Sequence, residues 1–154
     1  METTLVLVKP DGVQRRLVGR ILSRFEEKGL QLVGLRFTRL PLALLEKHYG
    51  AHKGKPFYEG LVTYMASSPV VAVALRGKSA VAVVRKMMGA TFGSKAEPGT
   101  IRGDWAISDG FNLVHGSDSA EAAEKEIGIF FGGSLVEWAP GDTAWVYDVS
   151  DGAR

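Results

Sequence analysis

Leu5-Val6-Leu7-Val8-Lys9-Pro10-Asp11-Gly12 is the stretch from which the rest of the chain can be read. Four consecutive apolar residues are strand-sized and read as a buried strand, and Lys9 to Gly12 ends it with turn chemistry. Beyond the turn, Val18, Ile21, Leu22 and Phe25 return at helical spacing, and Gly29 is placed to cap the helix C-terminus. Val33, Leu35 and Phe37 then alternate with Gly34, Arg36 and Thr38, as a strand does. The first quarter of the chain therefore reads strand, helix, strand.

The second half repeats this order after an insertion. Pro41 suits the first turn of a helix that carries Leu42, Leu45 and Tyr49 on one face. A break at residues 54–56 precedes a second short helix through Leu61, Val62 and Met65. Val70 to Leu75 is the next strand, and Ser79 is placed to cap a helix that turns Val81, Val84 and Met88 inward and stops at Gly89. About twenty residues without a period follow, and a long irregular loop in a small domain is more often functional than idle. Phe111 to Val114 reads as the last strand, and Asp118 with Glu121 opens a helix whose inner face is Ala123, Ile127 and Phe130. Two split βαβ units on one sheet predict an α+β, ferredoxin-like fold: a four-stranded antiparallel sheet with flanking helices, in one domain over residues 1–154. The aperiodic tail from residue 132 is expected to wrap a surface or a neighbouring subunit.

With 154 residues, 45% of them apolar, the chain can bury a core without covalent staples. It has no cysteine, which excludes thiol nucleophiles, thiolate metal sites and disulfides. No apolar run reaches membrane-spanning length, and the Met-Glu-Thr-Thr start lacks a secretory pattern, so a cytoplasmic protein is expected. The formal net charge of +2 gives little overall field for holding a nucleic-acid backbone, and the aromatic residues are scattered, so no specific nucleic-acid partner is expected.

The sharpest chemical signal is Asn112-Leu113-Val114-His115-Gly116-Ser117-Asp118-Ser119. A histidine between a strand end and a helix start can present its imidazole to a cleft, where the neutral ring is a competent nucleophile near pH 7. Glu126, on the following helix, can reach back to fix the tautomer, with Ser117 as a hydroxyl relay between the two. Lys9, Arg85 and Arg102 are cations at a strand end, beside a buried helix face and in the long loop, and no one of these positions is specific alone. Neither Gly-x-x-x-x-Gly-Lys-Ser/Thr nor Gly-x-Gly-x-x-Gly occurs, so a nucleotide would have to be held by side chains. His48 and His52 are four residues apart but have no third ligand nearby in sequence, so no protein metal centre is expected.

Taken together, Lys9-Pro-Asp-Gly-Val, Gly99-Thr-Ile-Arg-Gly-Asp104 and Asn112-Leu-Val-His-Gly-Ser-Asp-Ser119 resemble the nucleoside diphosphate kinase family over nearly the whole chain, and the last looks like its active-site signature. The resemblance implies ping-pong transfer of a γ-phosphoryl group from a nucleoside triphosphate to a nucleoside diphosphate through a phosphohistidine on His115. It implies phosphate contacts from Lys9, Tyr49, Arg85, Thr91 and Arg102, ribose contacts from Asn112 and Lys9, and base stacking on Phe57. It also implies that Glu126 and Ser117 orient the histidine, that Mg²⁺ arrives on the nucleotide's phosphates, and that the protein is a homohexamer or tetramer. The sequence departs from the family pattern at Phe92-Gly93, where Asn-Pro is usual, and at Phe111, where Arg is common, and it places Asp109 near the expected base. The alternatives left open are a nucleotide-binding regulatory module that kept the histidine without turnover and, more weakly, a nucleic-acid-binding protein.

Overall fold

The computed structural model describes residues 1–153. Strand β1 (Glu2–Val8) lies inside the sheet, antiparallel to β3 (Val70–Gly77) on one side, from Glu2 opposite Gly77 to Val8 opposite Val71. On its other side it pairs antiparallel with β4 (Val114–Gly116), and β2 (Gln31–Thr38) pairs with the far edge of β3. The order β2-β3-β1-β4, antiparallel throughout, is the ferredoxin-like arrangement that the element order predicts.

Side chains on a strand alternate between its faces, so the unbroken run in β1 feeds two cores. Leu5 and Leu7 join Val70 and Ala72 beneath Leu45 of α3 (Leu42–His48), Met65 of α4 (Tyr58–Ala66), and Ile127 and Phe130 of α7 (Ala120–Phe131). Val6 and Val8 join Val71, Val73 and Leu75 beneath Ile21 and Phe25 of α2 (Val18–Glu27) and Val84 and Met88 of α5 (Ala80–Met88). A sheet covered on both faces needs apolar residues at consecutive positions, which is why β1 and β3 read as runs. Each large side chain buried this way contributes about 1.5–3 kcal/mol.

Several elements differ from the sequence expectation, each for a local reason. Lys9-Pro-Asp-Gly is the start of a one-turn helix, α1 (Pro10–Gln14), because proline at the first helical position costs no hydrogen bond. Residues 111–113 are not strand: Leu113 is left-handed at φ 71°, so the ladder to β1 begins only at Val114. His115 therefore lies within β4 and not beyond a strand end. Ser79 occupies the cap position of α5 in a left-handed conformation and does not cap; the Glu2 carboxylate accepts from Val81 N–H at 2.9 Å instead. Ser119, not Asp118, caps α7, accepting from Ala122 N–H at 3.0 Å. In β2 an irregularity between Leu32 and Gly34 breaks the alternation, so Val33 is buried while Leu35 and Phe37 are 53% and 66% exposed. The tail lies on its own domain: Val136 N–H donates to Val33 C=O at 2.8 Å, Trp138 Nε1–H to Leu32 C=O at 2.8 Å, and a short helix α8 (Thr143–Val146) follows. The long loop carries a further short helix, α6 (Ile101–Trp105). Among the described residues, no helix is long and apolar enough to cross a membrane.

Candidate active site

Strand parity places His115. It pairs with Leu7, and paired residues of neighbouring strands point to the same face, so its ring enters the core side covered by α3 and α7. On α7, Glu126 follows Ala123 by three residues and precedes Phe130 by four, which puts a carboxylate on the helix's buried stripe. The two meet: His115 Nε2 lies 2.5 Å from Glu126 Oε1. Ser117, two residues along the strand and on the same face, donates from Oγ to Glu126 Oε2 at 3.0 Å. Ser117 thus steadies the carboxylate from the side and does not bridge it to the histidine. With Nε2–H donated to Glu126, the neutral ring keeps its lone pair on Nδ1, which forms no hydrogen bond among the described residues.

Burial alone would raise Glu126, but the hydrogen bond from His115, the charges of His115 and His48, and the Ser117 hydroxyl together hold its carboxyl below the usual range. His48, the last residue of α3, stands edge-on to His115, with ring centroids 5.3 Å apart and planes at 87°. Its ring also meets Tyr49 at 4.4 Å and Phe130 at 5.1 Å, and burial, with the neighbouring His115 charge, lowers its pKa to about 4. Burial and the nearby Glu126 charge raise Tyr49.

Beside this group three cations converge. Arg102, 4% exposed, donates from Nε to Asn112 C=O at 3.1 Å, from one terminal nitrogen to Gly89 C=O at 3.1 Å and from the other to Val114 C=O at 2.7 Å. Burial and then the like charge of Arg85 lower its pKa to about 10, so it stays charged at neutral pH. Arg85 reaches from α5 to Gly116 C=O at 3.2 Å. Lys9 Nζ donates to Asn112 Oδ1 at 2.8 Å; burial lowers its pKa, Asp11 opposes that shift and Arg102 adds to it. Among the described residues none of the three has a carboxylate within ion-pair distance. With no ion-pair contact among them, and only Asp11 acting on Lys9 from farther off, these three charges, one of them deeply buried, are costly unless an anion completes the site.

Asn112 joins the group to the long loop, donating from Nδ2 to Thr91 C=O at 2.8 Å. Phe57 lies apart from these hydrogen bonds, 51% exposed, with its ring 5.3 Å from His52 and Lys55 Nζ 5.8 Å above it. The structure thus gathers Lys9, Arg85, Arg102 and Asn112 around β4 and places His115, Ser117 and Glu126 in one hydrogen-bonded chain. His48 and His52 part ways: one faces His115 and the other faces Phe57.

The sequence model of the nucleoside diphosphate kinase family matches residues 2–136. The chain belongs to the nucleoside diphosphate kinase family. It is 54% identical over 149 residues to a nucleoside diphosphate kinase of Pelotomaculum thermopropionicum, covering 96% of this chain and all of that one. It is 57% identical over 139 residues to one of Heliobacterium modesticaldum, covering 90% of this chain and 93% of the relative. Among solved structures, a halophilic nucleoside diphosphate kinase from Halobacterium salinarum in complex with CDP superposes with a TM-score of 0.92 at 49% identity, covering 96% of this chain and 99% of that one. A nucleoside diphosphate kinase family protein from Babesia bovis matches with a TM-score of 0.92 at 40% identity, covering 96% of this chain and all of that one.

The positions that depart from the family pattern make local contacts in the structure. A Cβ on Gly93 would lie 2.4 Å from Ala106 C=O and 2.7 Å from Ser108 C=O, so glycine lets the two arms of the long loop touch. Asp109 fastens the same arms, accepting from Ser94 Oγ at 2.6 Å and Ser94 N–H at 3.3 Å. Phe111 stacks on Tyr64 with centroids 5.2 Å apart. Sequence reading missed Asp11 and Tyr64. Asp11 accepts from Tyr64 O–H at 2.5 Å and from Leu113 N–H at 3.0 Å, holding the left-handed residue between Asn112 and β4. The available signal was an aspartate at a chain reversal, a residue type whose carboxylate commonly binds backbone N–H groups.

Proposed function

We propose that the protein transfers the γ-phosphoryl group of a nucleoside triphosphate to a nucleoside diphosphate by a ping-pong mechanism through His115. In this reading Nδ1 attacks the γ-phosphorus, an Nδ1–P bond forms as the bond to the β-phosphate oxygen breaks, and the nucleoside diphosphate leaves. A β-phosphate oxygen of a second nucleoside diphosphate then attacks the same phosphorus and restores free His115. Glu126 takes up the positive charge that develops on the ring through its hydrogen bond to Nε2, and Ser117 keeps the carboxylate in place. Lys9, Arg85 and Arg102, with Tyr49 and Thr91, neutralise and position the phosphates; Asn112 and Lys9 hold the ribose hydroxyls; and Phe57 stacks on the base, whose π-face every nucleotide offers.

The observation that carries this reading is the pairing of Nε2 with Glu126 at 2.5 Å, which keeps the Nδ1 lone pair for attack, and the three cations held at Asn112, Val114 and Gly116 without an ion pair support it. Mg²⁺ belongs to the substrate in this scheme, carried on the nucleotide's phosphates. That fits a site whose grouped donors are two imidazoles and one carboxylate, not the all-oxygen cage of a resident magnesium ion. The exposed Leu35 and Phe37 on the edge strand β2 support a homo-oligomer, a hexamer or tetramer, which sedimentation would distinguish. The test of mechanism is to mix the protein with Mg²⁺ and γ-labelled ATP, remove the nucleotide, and look for acid-labile, base-stable label that chases onto GDP or CDP. The expected result is transferable label that His115→Ala abolishes while ATP still binds. ATP binding without transferable label on the wild-type chain would overturn the mechanism.

A further inference from the structure

We propose that His48, His115 and Glu126 form a three-ligand site for a borderline divalent transition-metal ion such as Zn²⁺, and that such an ion blocks phosphoryl transfer. One donor atom from each residue lies within 4.8 Å of the other two. Two imidazoles and one carboxylate, with the fourth position open, are a donor set that zinc takes readily and magnesium does not. His48 supplies an independent indication: its Nε2 is buried and has no hydrogen-bond partner. A buried nitrogen left unpaired is costly, and an ion bound between it and Glu126 would satisfy it.

The surroundings resemble the outer shell of a metal centre. Ser117 fixes the Glu126 carboxylate, and the rings of Tyr49 and Phe130 fix His48. The His115 side chain is 31% exposed, which gives an ion a way in from solvent. Ligands about 2.0–2.2 Å from one ion stand roughly 3.3 Å apart, so His115 and Glu126 must open by about 1 Å from their 2.5 Å contact while His48 closes in.

Inhibition follows from the proton count. A neutral imidazole carries one proton, on Nε2 while Glu126 accepts from it. An ion at Nε2 moves that proton to Nδ1, so the lone pair that would attack phosphorus is occupied. Metal binding stands on geometry alone; the inhibition rests on the phosphohistidine reading above.

The test titrates the metal-free protein with Co²⁺, followed by its visible absorption, and with Zn²⁺, followed by calorimetry, on the wild type and on His48→Phe, which keeps the ring packing. One ion per chain is expected, with a tetrahedral Co²⁺ band. His48→Phe should weaken binding by at least the 10- to 100-fold that even an outer-shell change costs, about that range or more. In excess Mg²⁺ and labelled ATP, Zn²⁺ should suppress labelling of the wild type, a zinc-selective chelator should restore it, and the residual labelling of His48→Phe should be unaffected. If His48→Phe does not fold, His48→Gln takes its place. No saturable binding by the folded wild type, equal binding by the variant, or zinc binding without loss of labelling would overturn the proposal. Binding by a chain that is never labelled on His115, even metal-free, would leave the site standing and overturn the kinase mechanism instead.

Discussion

Glu126 sits on the apolar stripe of its helix, where a carboxylate is tolerated only because His115 and Ser117 both bond to it. Glu126→Gln should therefore act on chemistry more than on binding, lowering kcat by about 10²-fold, in the range ascribed to one positioned acid–base group, with KM little changed. Steady-state kinetics decide this, and an equal loss in binding would point to collapse of the site. His48 makes a separate prediction about acid. Its folded pKa of about 4 lies below the unfolded value near 6.5, so the unfolded chain takes up the proton first. Stability is then complete above pH 6.5 and falls as pH drops toward 4, by about 2–3 kcal/mol for a ring that water partly reaches. In chelator-containing buffer, His48→Phe should flatten this part of the urea-denaturation profile, and an unchanged slope would count against it. Of these residues His115, Ser117 and Glu126 were legible in the sequence, because they share a motif or a helical stripe. His48 was not: its partners are 67 and 78 residues away, a proximity that only strand pairing creates.

At the scale of elements, the interiors of strands and helices were readable from periodicity and their ends were not, because ends are settled by long-range bonds. Glu2 capping α5 and Asp11 holding Leu113 are contacts between distant positions that no local pattern carries. The loop after α5 read as irregular because its order comes from touching arms: Gly93 against residues 106–108, Asp109 on Ser94, and Asn112 on Thr91. Gly93→Val should thus destabilise by about 1–3 kcal/mol through overpacking and raise KM for nucleotide by disturbing Thr91 and Asn112, whereas Ser94→Ala should do less. Thermal melts with KM measurements test both, and a Gly93→Val protein with wild-type KM would show that the loop's closure does not serve the site.

For the molecule as a whole, the fold was legible because both cores are fed by β1 and β3, whose apolar runs admit little else. The unpaired cations should make stability depend on anions. A nucleotide at 100 times its Kd should add about 2.7 kcal/mol, visible as a rise in Tm that adenosine, lacking phosphates, fails to reproduce at equal concentration. Equal shifts from ADP and adenosine would mean that Lys9, Arg85 and Arg102 do not grip phosphate. The pairing of His115 with Leu7 has one more consequence, for how such a chain can change over time. Because faces alternate residue by residue, a slip of β4 by one position would turn His115 away from Glu126 and bring Val114 or Gly116 round in its place. An added or lost residue in the loop before Asn112 can be absorbed there, but one between Leu113 and Ser117 inverts the strand. The number of residues in that segment is therefore held fixed, so the reading frame of the ladder is inherited together with the contact between His115 and Glu126.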